Sequence, residues 1–84
     1  MEMAVTSTLD VLGLLCPLPI IHTAKRVRKM KSGEVLEVVS DDPVIEIDMP
    51  AWCHSFGHEY LGCEDREGIF HLFVKVAEKQ KAGR

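Results

Sequence analysis

No CxxC pair, no HExxH, no internal repeat and no low-complexity linker occurs in the 84 residues of this chain. The first two absences remove the common zinc and dithiol signatures. Cysteine is scarce: three residues, an odd number that cannot all pair within one chain, which points to a reducing compartment. Positive charge is not in excess, since ten Lys and Arg stand against thirteen Asp and Glu for a net charge of −3. That balance argues against non-specific, direct nucleic-acid binding. Aromatics make up 6% of the chain and none falls among residues 25–31, where five of the basic side chains lie. Stacking on single strands therefore lacks its platform. The longest apolar stretch, residues 11–21, is interrupted by Pro17 and Pro19. It is short of the about 20 residues a membrane span takes. Glu2 and Asp10 precede it but no Lys or Arg does, so a secretory leader lacks its positive start. A cytoplasmic location with no membrane contact is the expectation.

What remains is the composition of a soluble globular domain, 46% hydrophobic and 27% charged. At this length one small domain is expected, with its core over about residues 4–76 and a basic tail over 77–84. Val5, Thr6, Thr8, Leu9 and Val11 make residues 4–12 a strand that ends at Gly13. Pro17 suits the first position of a helix with Cys16 as its N-cap. Ile20, Ala24 and Val27 recur at helical spacing, and Gly33 is the expected C-cap. Residues 34–40 read as a second strand, with Leu36 and Val38 on one face. Asp42-Pro43 opens a second helix, in which Pro50 predicts a kink or restart with Asp48 capping the second piece. Residues 58–64 and 69–76 are strands around a hairpin loop at 65–68. The order β-α-β-α-β-β predicts an α/β two-layer sandwich, a four-stranded mixed sheet with two helices on one face.

The chemistry concentrates in Gly13-Leu14-Leu15-Cys16-Pro17-Leu18-Pro19. A cysteine at a helix N-terminus faces unpaired N–H groups and the positive end of the dipole, which predicts a lowered thiol pKa and a reactive thiolate. Pro17 and Pro19 have no N–H, so the Leu18 N–H is the predicted first-turn donor to the sulfur, on a stiffened shoulder. No His or Lys lies within five residues of Cys16, and His22 is nearly two turns on. A sulfur loaded and unloaded by other proteins suits this better than a self-contained hydrolase. The plain alternative is a buried cysteine that caps a helix.

Cys16-Pro17-Leu18-Pro19 after a strand, preceded by Asp10 and Gly13, resembles the CPxP signature of the TusA-like (SirA-like) sulfur-carrier family. The likeness continues through Gly33-Glu34, Asp41-Asp42-Pro43, Asp48-Met49-Pro50, Trp52-Cys53 and Gly57-His58-Glu59, over about residues 9–76. The resemblance implies a cytoplasmic sulfurtransferase that holds a persulfide on Cys16 and relays its outer sulfur, without independent turnover chemistry. Gly13, Pro17, Leu18 and Pro19 would shape the site. Implied partners are sulfur-donor and sulfur-acceptor proteins: cysteine desulfurases and rhodanese-like or DsrE-like proteins. Implied pathways are tRNA thiolation, cofactor sulfuration or sulfur oxidation. Family members commonly carry Arg where this chain has Leu12. Persulfide exchange is attack of a thiolate on an outer sulfur, and it calls for no metal, nucleotide or organic cofactor.

Further residues invite two readings each. Cys53 is either a second, resolving thiol or core packing beside Trp52 and Phe56, and Cys63 reads as a small buried hydrophobe sharing a strand face with Leu61. His54 and His58 stand four apart, but Gly57 breaks the shared face a metal would need. Lys25, Arg26, Arg28, Lys29 and Lys31 form either a solvated face that satisfies the helix dipole or a docking surface for a sulfur partner. Six carboxylates between Glu34 and Asp48 oppose them. Strand alternation leaves Val35, Val39, Ile69 and Phe73 on a sheet face with no predicted cover, which suggests self-association. Two rivals to the carrier are a regulatory or protein-binding module and a redox switch pairing Cys16 with Cys53.

Overall fold

The computed structural model describes residues 4–77. In chain order it contains β1 (Ser7–Asp10), α1 (Leu18–Arg28), β2 (Val35–Ser40), α2 (Ile45–Phe56), β3 (Glu59–Arg66) and β4 (Ile69–Lys75). The strands lie in the order β1-β2-β4-β3, with β1 parallel to β2 and the other neighbours antiparallel. A parallel β1–β2 pair needs a crossover, and α1 supplies it. The four-stranded mixed sheet with two helices is thus the architecture read from the element order. The basic tail falls mostly outside the described residues.

Helix α1 buries Pro19, Thr23 and Val27, one residue per turn. Thr23 is a polar member of this stripe and is satisfied locally, its Oγ1 donating to the Pro19 carbonyl at 2.8 Å. Helix α2 buries Ile45, Met49 and Cys53 with the same period. Both stripes pack on Leu36, Val38, Leu72 and Val74, all fully buried in the two central strands. Burying each such aliphatic side chain contributes about 1.5–3 kcal/mol.

Several local expectations are corrected. Helix α1 starts at Leu18 with Pro17 in the N-cap position, and it ends at Arg28 with Lys29 as C-cap. Gly33 instead donates its N–H to the Val76 carbonyl, at 2.7 Å, and so extends the β2–β4 ladder. Helix α2 passes through Pro50 without a restart. The missing Pro50 N–H would have served only the carbonyl of Glu46, an exposed residue. Asp48 is accordingly inside the helix and caps nothing, while Asp42 Oδ1 accepts the Val44 N–H at 3.1 Å. The β3–β4 hairpin turns on two residues, Glu67 and Gly68, both at positive φ (57° and 86°). An irregularity between Tyr60 and Gly62 shifts the β3 register, so Cys63 shares the core-facing side with Tyr60 rather than with Leu61. The sheet face away from the helices is no bare apolar patch. Val35 and Phe73 are buried, and a polar row crosses the face from Thr8 through Glu37 to His71, at 3.1 and 2.7 Å. It gives no support to self-association there.

Candidate functional site

Cys16 sits at the apex of the loop joining β1 to α1, and the loop joining β2 to α2 holds it there. Val11 continues the parallel pairing, donating to the Val39 carbonyl at 2.9 Å, with its side chain in the core. The chain then turns: Leu12 N–H donates to Asp10 Oδ1 at 2.9 Å, and Gly13 takes φ 83°, a value that favours glycine. Gly13 N–H donates to Asp41 Oδ1 at 3.1 Å and Cys16 N–H to Asp42 Oδ2 at 2.9 Å. Asp42 is only 6% exposed, and its own N–H donates to the buried Ser40 Oγ at 3.1 Å. One buried carboxylate therefore fixes both the Cys16 backbone and the start of α2. The Cys16–Pro17 peptide is cis.

The sulfur points to a carboxylate, not to a helix end. Cys16 Sγ donates to Asp48 Oδ2 at 3.2 Å. The Leu18 N–H, expected to serve the sulfur, donates to the Leu15 carbonyl at 2.9 Å. The thiol is accordingly raised above its ordinary pKa: first by the Asp48 hydrogen bond, then by desolvation and by the charges of Asp48 and Asp42. The expectation of a lowered pKa is thus reversed. With Pro17 in the N-cap position and no backbone N–H aimed at Sγ, the nearby carboxylates decide the sign.

Cys16 is exposed, and so are the apolar side chains of the segments meeting beside it. Leu12, Leu15 and Leu18 come from the β1–α1 side and Val44 and Ile47 from the start of α2; Leu15 is 66% and Ile47 73% exposed. Leu12, at the position where the family commonly has Arg, is part of this apolar group. Pro19 is fully buried, so the second proline anchors the loop in the core rather than projecting as a shoulder.

The remaining candidates lie elsewhere. Cys53 is 1% exposed and burial pushes its thiol up to about 11, an environment that fits the core-packing reading of this residue. Cys63 is half-buried with Sγ 3.9 Å from Glu46 Oε2; burial, then Glu46, raises its pKa. His58 stacks on Trp52 at 5.0 Å and its Nδ1 accepts the Ala77 N–H, while His54 is exposed. Arg26 is half-buried, donating to Ser7 Oγ at 2.6 Å and to the Thr8 carbonyl at 3.3 Å. Lys25, Arg28, Lys29 and Lys31 are exposed, but they gather at the far end of α1. At about 1.5 Å per residue, Lys25 lies about 10 Å and Lys29 about 16 Å along the axis from Leu18.

The contacts of Asp42 and Asp48 with Cys16 are what pattern reading missed. Asp42 was legible as a helix opener, but its second carboxylate oxygen is used by a residue 26 positions away. Asp48 was legible as an expected cap and as part of Asp48-Met49-Pro50, but nothing local marked it as a partner of the sulfur 32 residues away.

Residues 7–76 match the family model described as Sulfurtransferase TusA. The chain is 45% identical over 73 residues to "Putative sulfur carrier protein YrkF" of Bacillus subtilis, and 40% identical over 72 residues to a "Putative sulfur carrier protein" of Aquifex aeolicus. These matches cover 87% and 86% of this chain but only 40% and 36% of those relatives, less than half their length. A "Putative sulfur carrier protein" of Neisseria meningitidis is 40% identical over 70 residues, 83% of this chain and 95% of that one. The crystal structure of a SirA-like protein from Desulfitobacterium hafniense shares the fold, with a TM-score of 0.77 over 87% of this chain and all of the other, at 21% identity.

Proposed function

The chain belongs to the sulfurtransferase TusA family, and from that premise we propose that Cys16 carries sulfur as a persulfide between protein partners. The observation that carries this reading is the contrast among the three thiols. Cys16 alone is exposed, on a loop fixed by Asp42, while Cys53 is buried and Cys63 half-buried. In loading, Cys16 Sγ attacks the outer sulfur of a donor persulfide. One S–S bond forms, the donor's S–S bond breaks, and the Sγ proton ends on the departing donor thiolate. Unloading is the same exchange with an acceptor thiol, and neither step changes the overall oxidation state.

A sulfur supplied as a protein persulfide calls for a donor of the cysteine desulfurase, rhodanese-like or DsrE-like kind, and for a compartment that keeps thiols reduced, such as the cytoplasm. No helix among the described residues is long and apolar enough to cross a membrane. Leu15, Leu18 and Ile47 form the surface a partner must cover to reach Cys16, and Lys25 with its cationic neighbours stands further out to steer the encounter. The redox-switch reading is less favoured, since Cys53 lies on the buried face of α2. The test is incubation with a cysteine desulfurase and cysteine, followed by intact mass. One added sulfur on the wild-type chain and none on a folded Cys16→Ser variant is the expected result. Sulfur retained by Cys16→Ser would overturn the assignment.

A further inference from the structure

The relay chemistry uses the Cys16 sulfur but assigns no work to the carboxylate against it. Asp48 Oδ2 accepts a hydrogen bond from Sγ at 3.2 Å, and Asp42 Oδ2 is held on the Cys16 N–H at 2.9 Å. Around the same loop Asp10 and Asp41 accept the Leu12 and Gly13 N–H groups. Four carboxylates thus surround the loop from β1, from the β2–α2 connection and from α2. On the α1 side His22 is the first titratable group, and Lys25, the first lysine, lies about 10 Å along the helix axis. A sulfur meant to be a standing nucleophile is ordinarily placed among cations or helix N–H groups. This one is placed among anions.

We propose that Asp48 is a specificity-determining residue of the carrier: it locks the idle Cys16 sulfur as a thiol and reserves it for protein donors that bring a cation into the Asp42–Asp48 corner. The inference rests on the carrier reading above. A locked thiol is slow toward small electrophiles and oxidants, because the thiolate is the reacting species. A docked donor changes both terms at once. Its surface covers the exposed side chains of Leu15 and Ile47 and excludes water, which strengthens charge interactions at the corner. Its cation, an Arg or Lys beside the donor persulfide, pairs with Asp48 and frees Sγ. The proton then leaves Sγ for the donor's departing thiolate, so the exchange balances without an added reagent. The partner class follows: a persulfide-bearing protein whose reactive cysteine has an apolar surround and an adjacent cation.

The carboxylate that raises the thiol pKa is also the one in contact with it, which lets a single isosteric change test the lock. In Asp48→Asn the amide keeps an acceptor and removes the charge. Cys16 labelling by iodoacetamide, a neutral probe, is followed by peptide mass across a pH series, beside loading from a cysteine desulfurase. Glu46→Gln serves as control, since that carboxylate lies two residues earlier and faces Cys63. The expected result is a labelling midpoint moved to lower pH and a rate at pH 7 about three- to tenfold higher in Asp48→Asn. Glu46→Gln should leave both unchanged. The desulfurase should load Asp48→Asn no faster than wild type, so the ratio of protein-donor to small-probe rates falls by about the same factor. An unchanged midpoint in Asp48→Asn overturns the lock, and an equal gain with both reagents overturns the discrimination. The labelling arm needs no sulfur, so a wild-type chain that never accepts sulfur would sink the carrier reading while leaving the lock measurable.

Discussion

The two ends of α1 are chemically opposite. At its start, Cys16 stands among carboxylates, with Asp48 on its sulfur and Asp42 on its N–H. Leu15 and Ile47, the residues next to Cys16 and Asp48 in sequence, are exposed aliphatic side chains. At its finish are Lys25, Arg26, Arg28, Lys29 and Lys31, where cations favour the negative pole of the helix. A helix with no acidic residue in its first turn and three basic ones in its last completes only half of the usual dipole pattern on its own. The acids at its N-terminal end come from β1 and the β2–α2 side, and they are spent on backbone N–H groups and on the thiol. Charge near the Cys16 sulfur is therefore a tertiary product, whereas charge at the far end is written along one helix. The Cys16 end is the anionic, apolar one, and the conspicuous cationic cluster is remote from it.

The sharpest way to break this comparison is at Asp42. Asp42→Ala removes the acceptor of both the Cys16 and Val44 N–H groups in a nearly buried position. A loss of about 2–3 kcal/mol in urea unfolding is expected, together with slower loading from a protein donor. Stability within error of wild type would show that the loop holds its shape without the clamp. Next in size is the apolar surface. Leu15→Gln with Ile47→Gln, which remove apolar surface without adding charge, should slow loading from a cysteine desulfurase about tenfold while leaving iodoacetamide labelling of Cys16 within about twofold. Equal losses with both reagents would mean that the site itself was damaged. The smallest effect belongs to the basic end. Lys25→Glu with Lys29→Glu should lower the association rate with a protein donor about two- to threefold at low salt, and the difference should vanish as salt is raised. A loss that persists at high salt would place these side chains inside the contact and dissolve the contrast between the two ends. Arg26 is left out of that pair deliberately, because it ties α1 to Ser7 and Thr8 of β1.

The pH profile carries the same contrast. With its pKa raised, Cys16 is largely a thiol at neutral pH, and its labelling rate should still be climbing above pH 9, the ordinary thiol value. A rate that levels off well below pH 9 would restore the helix N-terminus as the dominant influence on this sulfur.

Much of the fold was legible along the chain. Apolar spacing and the punctuation by Gly13, Pro17, Gly57 and Gly68 placed all six elements in order, because strand and helix periodicities are local properties of the backbone. The reach of Pro50 was misjudged for a physical reason. A proline in a helix interior forfeits one hydrogen bond, and the packing of Ile45, Met49 and Cys53 on the sheet outweighs that loss. The shift in β3 had one signal, Gly62 within a strand, a common mark of a bulge, but Phe73 and Val74 opposite decide where the register slips.

At the site, the sequence by itself determined which residue stands out: Cys16 lies between the strand-ending Gly13 and two prolines, a pattern set by covalent neighbours alone. It also determined the remoteness of the cations, which follows from the rise of a helix. Only the tertiary structure decided the electrostatic state of that cysteine. The parallel pairing of β1 with β2 sets their two following loops side by side, and α2 then brings Asp48 to the sulfur across 32 residues of chain. Coulomb and hydrogen-bond effects depend on distance in space, and no local pattern encodes a 3.2 Å contact between groups so far apart in sequence.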